Sequence, residues 1–575
     1  MKAGDIEKQT FSKDNSLEPI VSELKTFSSD EENDKGFLTN FVDSFREDTE
    51  NKTLDHKKLK MSHLCVIALS SGLGTGLLVG SATKLKSGGP LSILIAYIIV
   101  GAMAICTMNS VGELTVAYSN LQGGFNEWYQ KFLDPSIAFA LGWNYWFQWI
   151  TTISLELVTA ALTIKFWNST INPDIFVMVF FILICLINLF GVKGYGEAEF
   201  VMNSIKLLML TGFFLMGLCV DLGASEEGFI GGKYWRDPGA ITNFKGLVTC
   251  FSTASFSMGG TEFLALSVSE VKNPRTALPT AIRLVFVRII FFYLGTLTMV
   301  GLLVPYTSDR LMGTNTQSAN DASPYVLAAD IHGVKVVPHI VNAVILNSVT
   351  SVATAAMYSS SRLLRSLAQQ GLAPRWFDYT DRAGRPLRAW GVSILAGIFA
   401  FIADYEKQAT VFDWLMSIVA LSIVFIWPAL CICHLRWRAC LRYNNIPLET
   451  LGFVSYTGEW GSWLSVTVNS LVLIGQFWVA LFPTDKADVA NFFQNYAGVP
   501  FLLVCFFGHK IFAGNWKRWW HRIEDIDINA GRTIYDKEQL ELDKEQLELD
   551  KEELKQRIAA APFWKKPFVW FFNSS

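Results

Sequence analysis

The chain has 575 residues, of which 51% are hydrophobic and 14% aromatic but only 17% are charged. A water-soluble domain carries about 25% charged residues, so this balance is that of a membrane protein and excludes a soluble multidomain enzyme. The net charge of −3 leaves no basic surface of the size that nucleic acid requires, and the nine cysteines lie in or beside apolar runs that suggest no disulfide framework.

Residues 1–60 mix Asp, Glu, Lys and Ser with little apolar periodicity and hold no apolar run of the kind a cleavable leader needs. They are expected to form a disordered cytosolic region whose lysines can carry regulatory modification. Ubiquitin-ligase adaptors are the expected partners of the cytosolic tails. A bilayer core about 30 Å thick needs about 20 apolar residues per helix. Between residues 61 and 515 that ruler predicts twelve spans, at 63–83, 91–112, 137–164, 175–192, 200–220, 246–268, 283–304, 337–361, 389–404, 411–433, 464–483 and 491–512. An even count puts both termini on one side. Lys272, Arg275, Arg362, Arg365, Arg382, Arg385, Arg436 and Arg438 then gather in inner loops while the outer loops hold fewer cations, so both termini are expected in the cytosol. The sequon Asn168-Ser169-Thr170 falls in an outer loop as a candidate glycosylation site. Residues 516–575 read as a cytosolic tail. Leu540, Leu547 and Leu554 recur every seven residues within a direct repeat, which predicts a charged helix with one thin apolar seam. The aromatic and lysine-rich end at 563–572 suits the inner membrane surface.

In the first span, Ser70-Ser71-Gly72-Leu73-Gly74-Thr75-Gly76 places three glycines in five positions. Each costs a helix interior about 1 kcal/mol relative to alanine. Either the helix breaks here and its freed backbone groups line a cavity, or the glycines serve close helix packing. The sixth span repeats the theme with Ser255-Phe256-Ser257-Met258-Gly259-Gly260-Thr261-Glu262. Two similar marks suggest two repeats with discontinuous first helices, whose free N–H and C=O groups would suit the carboxylate and ammonium of an amino acid.

Ionisable residues inside a membrane point to function by default, and four stand out. Glu156 shares a face of the third span with Gln148 and Thr152 at i, i+4, i+8. Lys206 follows Asn203 by three residues on the fifth span. Desolvation penalises a charged amine, so a lysine at this depth is a candidate proton carrier, with a structural buried pair as the alternative. Glu262 sits at the sixth-span glycines. Glu113 ends the second span, where a snorkelling or capping role stands beside a functional one. The eighth span adds Asn342, Asn347, Ser348, Thr350, Ser351 and Thr354. No metal-ligand spacing or nucleophile constellation is found, so neither a cofactor nor an enzymatic activity is expected.

These motifs resemble the fungal amino acid permeases of the amino acid, polyamine and organocation superfamily. The resemblance runs from about residue 57 to about 530. It is carried by Gly74-Thr-Gly-Leu-Leu-Val-Gly80, Gly191-Val-Lys-Gly-Tyr-Gly-Glu-Ala-Glu-Phe200, Gly232-Lys-Tyr-Trp-Arg-Asp-Pro-Gly239, Asn273-Pro-Arg275, Gly301-Leu-Leu-Val-Pro-Tyr306, Asp381-Arg-Ala-Gly-Arg-Pro386 and Ile526-Asp-Ile-Asn-Ala-Gly-Arg532. It implies an all-α polytopic membrane protein with two inverted five-helix repeats plus two extra helices, a leucine-transporter-like fold working by alternating access. Substrate carboxylate and amine would be held at Ser71, Gly72, Gly74, Thr75 and Gly76 with Ser257, Gly259, Gly260 and Thr261. Lys206 would replace the sodium ion of sodium-driven cousins, and Glu156 and Glu262 match shared acidic positions. Three departures are present: Ser70-Ser71 where the family has Gly-Gly, Ala353-Thr354-Ala355 where it has Gly-Asn-Ser, and a terminal Phe572-Asn573-Ser574-Ser575 without the palmitoylated cysteine. The expected function is proton-coupled amino acid uptake at the plasma membrane. The alternative is an amino acid sensor with little transport, although sensor relatives carry a longer amino-terminal extension. The side-chain subsite would draw on Gln148, Thr152, Phe256, Phe263, Trp414 and Ser417.

Overall fold

The computed structural model describes residues 61–560 except 120–123, 168–170, 226, 263, 265–273, 312–322, 403–407, 484–485, 515 and 536, together with Phe45 and Pro562. The proposed disordered region apart from Phe45, the Asn168 sequon, Lys272, Asn273, Phe263 and the segment 563–572 lie outside the described residues. Among the described residues, helix falls within each of the twelve predicted windows. Among the described residues seven helices are long and apolar enough to cross a bilayer, and nine are if each of two bent pairs counts as one span.

The first span is interrupted, as the glycine pattern allowed. It divides into α1 (Met61–Ser70), α2 (Thr75–Leu78) and α3 (Ser81–Gly88), with a 59° bend before the last piece. The second span is α4 (Pro90–Ala117), opened by a proline whose fixed φ suits the first helical turn. A short helix α5 (Phe125–Phe132) leads into α6 (Pro135–Ile164), the third span, where Asp134 caps the Ser136 N–H at 2.8 Å ahead of Pro135. The fourth span is the shorter α7 (Pro173–Leu189) and the fifth is α8 (Gly191–Cys219). The start of α8 corrects the predicted boundary at 200, because the helix runs straight through the glycine-rich motif and takes Glu199 into the bundle.

The sixth span, α9 (Phe244–Met258), is capped by Asn243 and stops at Gly259 and Gly260, with Gly260 at φ +83°. The seventh is α10 (Pro274–Val287), a π-helical stretch Arg288–Gly295 and α11 (Thr296–Leu303). After α12 (Pro324–Asp330) the eighth span, α13 (Val337–Gln369), packs along α6 and α8. Then follow α14 (Leu387–Gly397), α15 (Gln408–Tyr443), α16 (Gly458–Leu481) and the bent pair α17 (Val489–Tyr496) and α18 (Gly498–Ala513). The tail repeat forms a helix, α19 (Lys537–Ala560).

Two polar fastenings hold this frame. Glu113 neither snorkels nor caps; it is 1% exposed, with the Arg438 guanidinium at 2.8 Å and His434 Nε2 at 2.5 Å. His434 Nδ1 in turn lies 2.8 Å from Ser462 Oγ, so the cluster joins α4, α15 and α16. Removing one member of a buried ion cluster strands the other charge, at a cost of about 3–5 kcal/mol. Arg438→Met is therefore expected to lower the melting temperature of the purified protein, and the double variant with Glu113→Leu is expected to regain most of the loss. The second fastening is the segment 521–535, laid across the carboxy-terminal end of α4 and the amino-terminal end of α6. His521 N–H donates to Leu133 O at 2.8 Å, Thr533 N–H to Ala117 O at 2.8 Å and Tyr118 Oη to Ile528 O at 2.8 Å. Arg436 donates to both Phe132 O and His521 O, and Ile526 and Ile528 are buried.

Candidate functional site

The two interruptions meet. Gly72 adopts φ +79°, and a Cβ there would stand 2.8 Å from the carbonyl oxygens of both Gly259 and Ser257. A Cβ on Gly76 would come within 2.5 Å of Ser257 Oγ. These positions need glycine because the backbones of the two broken helices approach each other without room for a methyl group. The hydroxyl of Ser71 donates to Gly260 O at 3.0 Å and so ties one break to the other.

Arg288 strengthens that tie. Its side chain is fully buried and donates to Ser71 O and, at 2.6 Å, to Thr261 Oγ1. Tyr293 donates to Ser257 O, and Tyr97 Oη lies 2.6 Å from Ser257 Oγ. Glu262 supports the sixth-helix break from behind. Its carboxylate accepts from Gly260 N–H at 3.1 Å, Trp427 Nε1 at 3.0 Å and Tyr145 Oη at 3.3 Å. Tyr145, read from sequence as an ordinary aromatic, is thus one of its hydrogen-bond donors.

Between the breaks and α6, α8, α13 and α15 lies a cavity. The structure brings Ser71, Gly72, Gly74, Thr75, Gly76, Gln148, Thr152, Glu156, Lys206, Gly259 and Gly260 to its wall. Ser257, Thr261 and Glu262 do not line it; they brace the breaks from outside. Phe256 contributes a ring, whereas Trp414 is 40% exposed and Ser417 bonds Asn495 at 3.2 Å, so neither reaches the cavity. The face of α15 that does reach it carries Val419 and Ile423, one helical turn apart.

The polar end of the cavity holds both signs of charge. Thr75 donates its hydroxyl to Glu156 Oε2, and Glu156 Oε1 is buried with no hydrogen-bond partner. Lys206 Nζ, on the wall of the same cavity and 1% exposed, donates to Asn203 Oδ1 at 3.1 Å. Asn203 Nδ2 donates to Glu199 Oε2 at 2.6 Å, and Ser351 Oγ donates to the same oxygen at 3.0 Å. Thr354 turns its hydroxyl back to Thr350 O at 2.8 Å and does not enter this cluster. Sequence reading missed Arg288 and Glu199. The rule that flags intramembrane charge would have found Arg288 inside its own predicted span, whereas Glu199 was lost to a boundary set one residue too late.

A multi-pass bundle whose first and sixth helices are interrupted around one cavity, with backbone polar groups and opposite charges on its wall, defines a membrane carrier for a small polar solute. The chain belongs to the amino acid permease family, which it matches over residues 63–522, and it stands there among fungal members. It is 45% identical over 519 residues to a general amino acid permease, AGP1, of Saccharomyces cerevisiae, covering 89% of this chain and 81% of that protein. It is 44% identical over 523 residues to a high-affinity glutamine permease of the same species, covering 89% and 77%. It is 40% identical over 546 residues to a valine amino-acid permease, covering 90% of each.

Proposed function

We propose that this permease imports amino acids across the plasma membrane together with a proton, by alternating access about the paired breaks. The observation that carries the reading is the placement of the Lys206 amine and the Glu156 carboxylate in the wall of the same cavity as the two interrupted helices. The main-chain groups from Ser71 to Gly76 and at Gly259 and Gly260 bind the substrate's carboxylate and ammonium, because groups released from a helical ladder need partners at membrane depth. Ser257 and Thr261 hold those groups in place. Lys206 carries the proton and Glu156 senses it across the cavity, while Glu262 keeps the sixth-helix break in shape.

Beside these groups the cavity wall carries Phe256, Val352, Ala355, Val419 and Ile423 with Gln148 and Thr152. That mixture suits neutral side chains, in keeping with the names of the glutamine and valine relatives. In proteoliposomes with an imposed inward proton gradient, labelled neutral amino acids should accumulate and an uncoupler should collapse the accumulation. Binding with flux at background would overturn the reading in favour of a sensor. A panel of unlabelled amino acids competing for uptake would rank the side chains accepted.

A further inference from the structure

Glu199, Asn203 and Lys206 occupy positions i, i+4 and i+7 of α8 and so share one face, which lines the cavity. Asn203 bridges the other two, taking an N–H from Lys206 on Oδ1 and giving one to Glu199 Oε2. Ser351 holds the same Oε2 from α13. The remaining oxygen, Glu199 Oε1, is buried and has no hydrogen-bond partner. This is an expensive arrangement for a purely structural carboxylate, because a buried acceptor without a donor has given up its water for nothing, and the loss is greater when it is charged. With both termini in the cytosol α8 runs outward from Gly191, which puts Glu199 about 10 Å nearer the cytosol than Lys206.

We infer that Glu199 is the inner acceptor of the coupled proton. The step rests on the proton-coupled reading above. The N–H bond of the Lys206 ammonium breaks and an O–H bond forms at Glu199 Oε1, directly or through cavity water, leaving a neutral amine and a neutral carboxylic acid. The acid then releases its proton to cytosolic water, and the amine is recharged from outside in the next cycle. Asn203 is a positioning residue that holds donor and acceptor in line. Glu156 on α6 and Tyr195 on α8 are the other titratable groups that line the cavity with Glu199 and Lys206; the elements packed against α8 add His63 on α1, 5.5 Å from Phe200 and 3.9 Å from Glu197, and Tyr358 on α13, stacked at 4.0 Å on Tyr195.

Glu199→Gln keeps the size and the bonds to Asn203 and Ser351 but cannot take a proton. Net uptake driven by a pH gradient is expected to fall by about a hundredfold, the lower end of what a positioned acid or base contributes. Exchange of labelled for unlabelled amino acid, in which the carrier returns with its proton still bound, should fall far less, and Glu199→Asp should recover part of the net uptake. If Glu199→Gln does not fold, Asn203→Val, which leaves both end groups and removes the bridge, should produce the same split. Equal losses of net uptake and exchange, or no loss of either, would overturn the inference. Lys206→Met measured alongside separates the two readings: gradient dependence that survives in Lys206→Met defeats proton coupling through this helix altogether, whereas its loss there with none in Glu199→Gln defeats only the role given to Glu199.

Discussion

Lys206→Met is expected to remove the response of uptake to an imposed pH gradient while leaving a carrier that still equilibrates its substrate. Methionine is close to lysine in length and unbranched, so the wall of the cavity keeps its shape, while the three N–H donors and the exchangeable proton are lost. With one proton moved per amino acid, a gradient of one pH unit supplies about 1.4 kcal/mol and supports about tenfold accumulation. Lys206→Met should bring that ratio to unity in proteoliposomes at equal volumes, whatever its rate of exchange. Accumulation that persists near the wild-type ratio would move the proton to Glu156, whose free Oε1 faces the same space.

Gly72→Ala should be close to a complete loss of transport. The left-handed φ of +79° costs an L-residue about 1–2 kcal/mol before any contact is considered. The added methyl would also stand 2.8 Å from two main-chain oxygens, on Gly259 and Ser257, which cannot give way without parting the two interrupted helices. Binding and flux should therefore fail together, which distinguishes this variant from Lys206→Met. Gly196→Ala, on α8 with nothing within 4 Å of the new Cβ, is the matched control and should transport normally. Wild-type uptake by Gly72→Ala would show that the close approach of the breaks is not required for the cycle.

The long apolar helices were legible because length and hydropathy alone select them. Both interruptions were legible as glycine clusters, although the sequence could not separate a break from a packing surface. Ser71, Gly72, Thr75 and Glu156 were found because first-span glycines and third-span polarity are local patterns. Partnerships were not legible. Nothing in the local sequence says that Glu113 meets residues 321 and 325 positions later, or that Arg288 reaches back 217 positions to Ser71. The same limit gave Glu262 and Lys206 equal standing as candidates, whereas in the fold one carboxylate is occupied by three donors outside the cavity and the amine faces into it. On α15 the sequence offered Trp414 and Ser417, but the angle at which a helix presents its face is set by its neighbours.

The fastening formed by residues 521–535 bears on how the protein can be cut and tagged. Many of its bonds run to main-chain carbonyls, so they survive most single substitutions of the residues they touch, but they vanish together if the chain is shortened. Truncation at about residue 520 would bare Ile526's and Ile528's packing sites and leave the Ala117 and Leu133 carbonyls to water. A reporter belongs beyond Ala560, past the end of α19, rather than at the end of the last apolar span.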